Sequence, residues 1–557
     1  NSVIRRSIVT NPTNMYIDPL DDLEGAIAQV TPLDFLENNN YNTTMKQFLA
    51  SLFIKYNFTK DLSIKSTFTH QNRAQNQTFY QNNLALVNVE INNQRGGWAR
   101  TSNSESLNTT NTNQLTFRKR FGKHNLNIDL GQSLEWRSSE SLRTSNSGFV
   151  NDYLTYYAPH TARFNDPDQI TYKESTLASF FGRVNYSFNK KILATLTGRY
   201  DGSSKFSQNN KWAFFPAASI AYKLSEEEFI KDIDAISLAK VRVSYGIVGN
   251  QGIREYQTLQ ILTGSQYVFG TGGDGKATSP IFSTTQLANP DLKWETTAQF
   301  DIGLDLSFLK NRITLTTDYY NKETTDLIIQ GNPIAAQSGF SGYTQNFGAI
   351  NSKGFELSIS ATVISNNKFS WSFTGNVSTN KATVTDLPSD YAQAGITFGQ
   401  VSSGTQRLII GEEVGTFWGW KTAGIAQFDD FEEFQNKSNQ EQIDLYNQDR
   451  RATFTLVDGY KGGYPENKAV HGPGEQLYED LTGDNEMSES DKQIIGGAQP
   501  DVILGITNTF KIGDFDLSFF MDGRFGGEIA NITNWSVYNF GSNQQLARVF
   551  NQAWRTD

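Results

Sequence analysis

The run Asp480-Leu481-Thr482-Gly483-Asp484-Asn485-Glu486, with Asp491 at the twelfth place, is where this sequence comes nearest to chemistry. Oxygen-bearing side chains at the first, third, fifth, seventh and twelfth places follow the ligand spacing of a calcium loop. Asp480, Thr482, Asp484, Glu486 and Asp491 are therefore the candidate ligands of a Ca²⁺ ion. The copy is degraded: Asn485 stands where the sharp turn prefers Gly, Thr482 takes the third place, and Asp491 reaches less far than Glu.

Other chemical patterns are weaker. Gly270-Thr271-Gly272-Gly273-Asp274-Gly275-Lys276 imitates a phosphate-binding loop, but Ala277 follows where a magnesium-binding hydroxyl is needed, so the segment reads as an external loop. His70, His124, His160 and His471 stand at no ligand spacing from one another. With no Cys and no Gly-x-Ser-x-Gly elbow there is neither a thiol nor a serine nucleophile motif, and no enzyme activity is expected. Tyr153, Tyr156 and Tyr157, or Trp418 and Trp420, are aromatics that either stack on sugars or brace their own loops.

The elements that must position such residues are strands. Leu126, Ile128, Leu130, Leu134 and Trp136 alternate with Asn127, Asp129, Ser133, Glu135 and Arg137, and the same period recurs at 183–188, 313–319 and 516–522. Tight polar turns following an apolar residue join these runs, as at Phe58-Thr59-Lys60-Asp61-Leu62, Phe121-Gly122-Lys123-His124, Phe188 to Ile192, Phe308 to Ile313 and Ile364 to Phe369. Long polar connections are expected at about 72–110, 138–171, 250–291 and 382–500. Ser225-Glu226-Glu227-Glu228 has capping-box spacing, predicting a short helix in one of the tighter connections. About fourteen strands are predicted in all.

No stretch approaches the roughly 20 apolar residues of a spanning helix. A barrel strand, however, needs only about ten and shows lipid every second side chain. Short turns at one end and long ones at the other suit an outer-membrane barrel, whereas alternation alone also suits a soluble glycan-binding β-protein. The net charge of −10 and pI near 5.2 give no positive field for nucleic acid, so none is expected as a partner.

Several segments resemble the landmarks of SusC/RagA-type TonB-dependent transporters. Arg199-Tyr200-Asp201-Gly202-Ser203-Ser204-Lys205-Phe206 is similar to that family's RYDGSSrF, followed by Lys211-Trp212-Ala213-Phe214-Phe215-Pro216. Val241 to Gly246 with Gly249-Asn250-Gln251, Asn289-Pro290-Asp291-Leu292-Lys293-Trp294-Glu295, Asp318-Tyr319-Tyr320-Asn321-Lys322 and Asn351 to Glu356 continue the match in order. Gly415 to Lys421 and Phe515 to Phe520 complete it.

The resemblance implies an all-β fold, a large transmembrane antiparallel β-barrel with long extracellular loops, of about 22 strands in the family. Residues 1–557 are then expected to be a partial barrel domain, with the N-terminal plug, the TonB-contacting segment and the last strands outside this sequence. It further implies import of a large nutrient, oligosaccharide or peptide, across the outer membrane. The partners implied are a SusD-like lipoprotein, TonB through a region outside this chain, and outer-membrane lipid. The alternative is a barrel serving as a structural subunit of a larger outer-membrane assembly.

Overall fold

The alternating segments form strands that pair with their sequence neighbours. The computed structural model describes residues 36–83, 97–166, 168–268, 278–332, 337, 340, 342–388, 396–398, 406–449, 453–457, 464–465, 472–484 and 486–531. One antiparallel sheet runs through β1 (Asn39–Asn57), β2 (Leu62–Gln81), β3 (Gly97–Phe121), β4 (His124–Phe149), β5 (Gln169–Phe188), β6 (Ile192–Ser203) and β7 (Trp212–Lys223). It continues through β8 (Ile236–Asn250), β9 (Glu295–Phe308), β10 (Ile313–Thr325), β11 (Ala349–Ser365), β12 (Phe369–Asp386), β13 (Val502–Ile512) and β14 (Phe515–Phe525). These fourteen strands meet the expected number, and a two-residue strand at Phe164–Asn165 pairs beside β4.

Each predicted tight turn closes a hairpin. Gly122 (φ +58°), and Asn189 and Lys190 (φ +49° and +60°), adopt the left-handed backbone that lets a short turn follow the strand twist. The turn after β7 holds the expected helix at Glu228–Lys231, but without the capping box. Its N-cap is Glu227, preceded by a 3₁₀ turn at Leu224–Glu226 that puts Ser225 inside the turn instead of at the cap. Glu227 is held instead by the Lys191 ammonium at 3.0 Å and by the Tyr222 hydroxyl.

At the opposite end the expected loops 72–110 and 138–171 are largely strand. β3 and β4 run for 25 and 26 residues, far more than the roughly ten a membrane crossing takes. Beyond the apolar band both faces are polar, so the hydrophobic period disappears while the ladder continues. Asn76 donates to Asn103 and Asn72 to Glu105, each at 2.7 Å, bracing the extension from strand to strand.

The connection expected at 382–500 is likewise structured. A separate compact unit takes in the described residues of 396–500 and 526–531. Its described part has a four-stranded sheet of Ile396–Phe398, Gln406–Leu408, Thr416–Gly419 and Gln493–Gly497. A helix at Asn439–Gln448 starts in a capping box between Ser438 and Glu441. Ala426, Phe431, Phe434, Phe454 and Leu477 form a buried core there, which gives the segment apolar burial of its own.

Candidate functional site

Register fixes which side chains share a face. Leu126, Tyr186, Ala194, Ile220, Val243, Ile302, Tyr319 and Phe355 are successive partners from β4 to β11. One residue along, the row reads Asn127, Asn185, Thr195, Ser219, Ser244, Asp301 and Tyr320. Because strand side chains alternate faces, one side of this sheet is oily and the other polar from β4 to β11.

Aromatic side chains border the oily face at two levels. At the level further from the tight turns, Trp212 stacks on Tyr200 (4.9 Å between centroids) and Phe180 (6.2 Å). A Cβ added at Gly202 would lie 2.5 Å from the Trp212 ring, so glycine is what lets the indole lie flat. Near the tight turns, Trp371 stacks on Phe510 at 5.7 Å and Phe121 on His124 at 5.3 Å. Leu126 to Trp136 spans ten steps of β4, roughly 33 Å of strand, or about 25 Å of membrane depth at a tilt near 40°.

The polar face carries a charged cluster. Arg242 on β8 donates from Nε to Asp305 Oδ2 at 3.0 Å and from Nη2 to Asp305 Oδ1 at 3.1 Å. The same Nη2 lies 2.9 Å from Asp318 Oδ1, so one guanidinium bridges β9 and β10. Lys240 Nζ contacts Asp305 Oδ2 at 2.7 Å. Between them Gly303 keeps the passage open: a Cβ there would sit 2.3 Å from Asp318 Oδ1 and 2.7 Å from the Arg242 guanidinium carbon. Sequence reading passed over this cluster, although its residues fall on the polar beats of the alternation and were identifiable by parity.

Where the strands give way to longer connections, Phe206, Phe215, Ile253, Leu292 and Trp294 form a buried cluster. The Trp294 indole donates to the Lys211 carbonyl at 3.0 Å. Several of these residues belong to the family-like segments, which here act as packing. Lys205 Nζ donates to the Ile253 carbonyl at 2.9 Å and pairs with Glu255 at 3.3 Å. Burial opposes charge on Glu255, but its own backbone N–H and the Lys205 ammonium outweigh that and hold its carboxyl below the usual range. A cavity of about 540 Å³ opens beside them, lined by Glu174, Thr176, Lys205, Lys211, Glu255 and Tyr256 among others.

In the separate unit, Asp491 is fully buried and acts as the pin of the predicted calcium segment. Its Oδ1 accepts from the Leu481 and Thr482 N–H groups, each at 3.0 Å. Its Oδ2 accepts from the Ser488 N–H at 2.8 Å and hydroxyl at 2.9 Å. Burial disfavours the carboxylate, yet these donors win and bring its pKa down to about 2. Asp480 Oδ1 accepts from the Thr482 hydroxyl and the Gly483 N–H. Asp484 is exposed, and the Glu486 side chain and all of Asn485 lie outside the described residues. Among the described residues no three His, Cys, Asp or Glu side chains gather as a metal site.

The remaining expectations scatter. His70 donates to or accepts from Thr109 at 2.9 Å on the oily-face register, and His124 meets the Tyr186 hydroxyl at 2.7 Å. His471 and the 270–276 loop lie outside the described residues. Tyr153 and Tyr157 are exposed, and Trp420 donates to the Ser488 carbonyl at 2.8 Å, bracing its own segment.

A meandering antiparallel sheet with a polar face, an oily face of membrane height, aromatic borders and tight turns at one end is the wall of an outer-membrane β-barrel. Residues 6–478 match the family described as TonB dependent receptor-like, beta-barrel, and the chain belongs to that family. It is 33% identical over 524 residues to TonB-dependent receptor P3 of Formosa agariphila, covering 92% of this chain and 47% of that protein. It is 28% identical to TonB-dependent receptor SusC of Bacteroides thetaiotaomicron, covering 92% of this chain and 46% of that protein. The RagAB peptide transporter superposes with a TM-score of 0.76 at 20% identity, over 98% of this chain and 55% of the other, which shows a shared fold. The chain thus spans about half the length of the curated relatives it matches. Its barrel wall resembles those of SusC and the RagAB transporter, the family is one of receptors and not of enzymes, and it lies in the outer membrane with the oily face towards lipid and the polar face towards the lumen.

Proposed function

We propose that this chain forms much of the wall of an active importer for a large nutrient, energised by TonB through a region outside the chain and served by a SusD-like surface lipoprotein. The observation that carries this reading is the lumen face: from β4 to β11 it presents amides, hydroxyls and paired charges where a water-filled path needs them. A plain structural post has no need of such a lining. The relatives agree in kind, since the RagAB protein is named a peptide transporter and SusC a TonB-dependent receptor.

The test is gentle detergent extraction of the intact protein from native membrane, with mass spectrometry of whatever stays bound, alongside growth of a deletion strain on oligosaccharide or peptide as sole nutrient. A stoichiometric SusD-like lipoprotein and loss of growth on one nutrient are expected. Recovery in a large assembly with growth unchanged would replace import by a structural role. Calcium at Asp480, Thr482, Asp484, Glu486 and Asp491 is a separate proposal, read by terbium luminescence. Sensitised emission at micromolar terbium supports it and silence removes it; for Asp491 to join, it must release its four protein donors.

A further inference from the structure

Beyond the outer aromatic level, the lumen face of β2 to β5 carries a group of exposed cations. Arg73, Ser106, Ser139 and Lys173 are successive partners across those four strands. Arg137 and Arg143 lie on the same face of β4, opposite Asn108 and Ser102. All four cations are exposed; among the described residues Arg137 pairs with Glu135 and Lys173 acts on Glu255 through its field, while Arg73 and Arg143 make no ion pair.

Spacing decides what such a surface can hold. Arg73 and Lys173 are three strand separations apart, roughly 14 Å, and Arg137 and Arg143 six residues apart, roughly 20 Å. No single small anion reaches cations so far apart, whereas a ligand with repeated negative charges does. The neutral positions between them, Ser104, Ser106, Ser139, Ser141 and Thr171, offer short hydroxyls, with Met45 and Leu49 of β1 at the edge of the same face. Further along the same face, Tyr41, Phe79 and Trp98 form an aromatic rail, with centroids 6.5 and 5.1 Å apart and the Arg100 guanidinium 4.6 Å over the indole. Aromatic faces suit sugar rings, and guanidinium groups suit carboxylate or sulfate.

We propose that this face binds a polyanionic oligosaccharide, a chain of sugar rings bearing carboxylate or sulfate groups, before it enters the lumen. The proposal rests on the import reading above. Exposed charges at this spacing act through a field that salt screens, so binding weakens with ionic strength.

The test uses the full-length receptor in detergent and isothermal titration at 50 and 500 mM NaCl, values chosen to straddle the ~8 Å Debye length at physiological salt. The probes are oligogalacturonate, sulfated dextran oligomers, maltoheptaose and hexaglutamate. Binding of the first or the second is expected, which also tells carboxylate from sulfate, with at least a tenfold loss at high salt. The variant Arg73→Ser/Arg143→Ser/Lys173→Ser should lose at least tenfold, and Arg73→Lys/Arg143→Lys should retain most binding and shows that the fold tolerates change there. Equal affinity for maltoheptaose, undiminished binding by the serine variant, binding of hexaglutamate alone, or no binding by any probe overturns the proposal. Growth of the deletion strain reports on import independently: import that persists without polyanion binding sinks only this inference, and polyanion binding without import sinks only the transport reading.

Discussion

Gly303 decides whether Arg242 can cross from Asp305 to Asp318. Gly303→Ala is expected to push the guanidinium or the Asp318 carboxylate aside and to cost about 1–3 kcal/mol, measured by urea unfolding of the liposome-folded receptor. An unchanged midpoint would mean that the cluster adjusts freely. Facing is tested at neighbouring positions. Leu315 pairs with Leu306 and Ile359, whereas Thr316 pairs with Asp305 and Ser358. Leu315→Arg should therefore cost up to about 1 kcal/mol this close to the tight turns and Thr316→Arg clearly less, and equal losses would reverse the assignment. The parity that assigns these two residues was readable from sequence, because Ile313, Leu315 and Tyr319 alternate with polar partners. What parity does not encode is which charges meet: Lys240 and Arg242 reach Asp305 only through the register of β8 against β9, over sixty residues apart in the chain.

Among the elements, hairpin ends were the most legible, because an apolar residue, a short polar run and residues suited to left-handed backbone coincide at Phe121 to His124 and Phe188 to Ile192. The upper halves of β2, β3 and β4 were not, because hydrophobic alternation records the surroundings of a strand and not its pairing, and above the lipid both surroundings are water. The separate unit was hidden for another reason: Phe431, Phe434 and Phe454 make its core from irregular segments that follow no fixed period. Within that unit the segment pinned by Asp491 should respond to acid. Its carboxyl titrates at about 2 in the folded state, below the ordinary ~3.9, so its stabilisation is complete above about pH 4 and is lost as pH falls towards 2. Asp491→Asn should speed exchange of the Leu481, Thr482 and Ser488 amides at pH 6, and the difference from wild type, corrected for intrinsic rates, should close near pH 2. A difference that persists undiminished in acid would mean that the carboxylate charge is not what holds the segment.

At the scale of the molecule, β1 and β14 each pair on one side only among the described residues, and β1 is exposed along almost all of its length. A sheet with two open edges is a template for further strands. Refolded by itself in detergent, the 557-residue chain is expected to associate through these edges, with light scattering showing oligomers that grow with protein concentration; a clean monomer would show that the edges are protected. The strand extensions above the lipid carry one more consequence, in heat capacity. Between the aromatic border and a small apolar cap of Tyr80, Ala99, Phe149 and Ala162, they bury hydroxyls, amides and ladder hydrogen bonds and little hydrocarbon. Exposing apolar surface raises the heat capacity and exposing polar surface lowers it. Unravelling this part of the wall should therefore change the heat capacity hardly at all, so that its stability falls almost linearly on warming and increases steadily in the cold, where proteins held by oily cores begin to weaken.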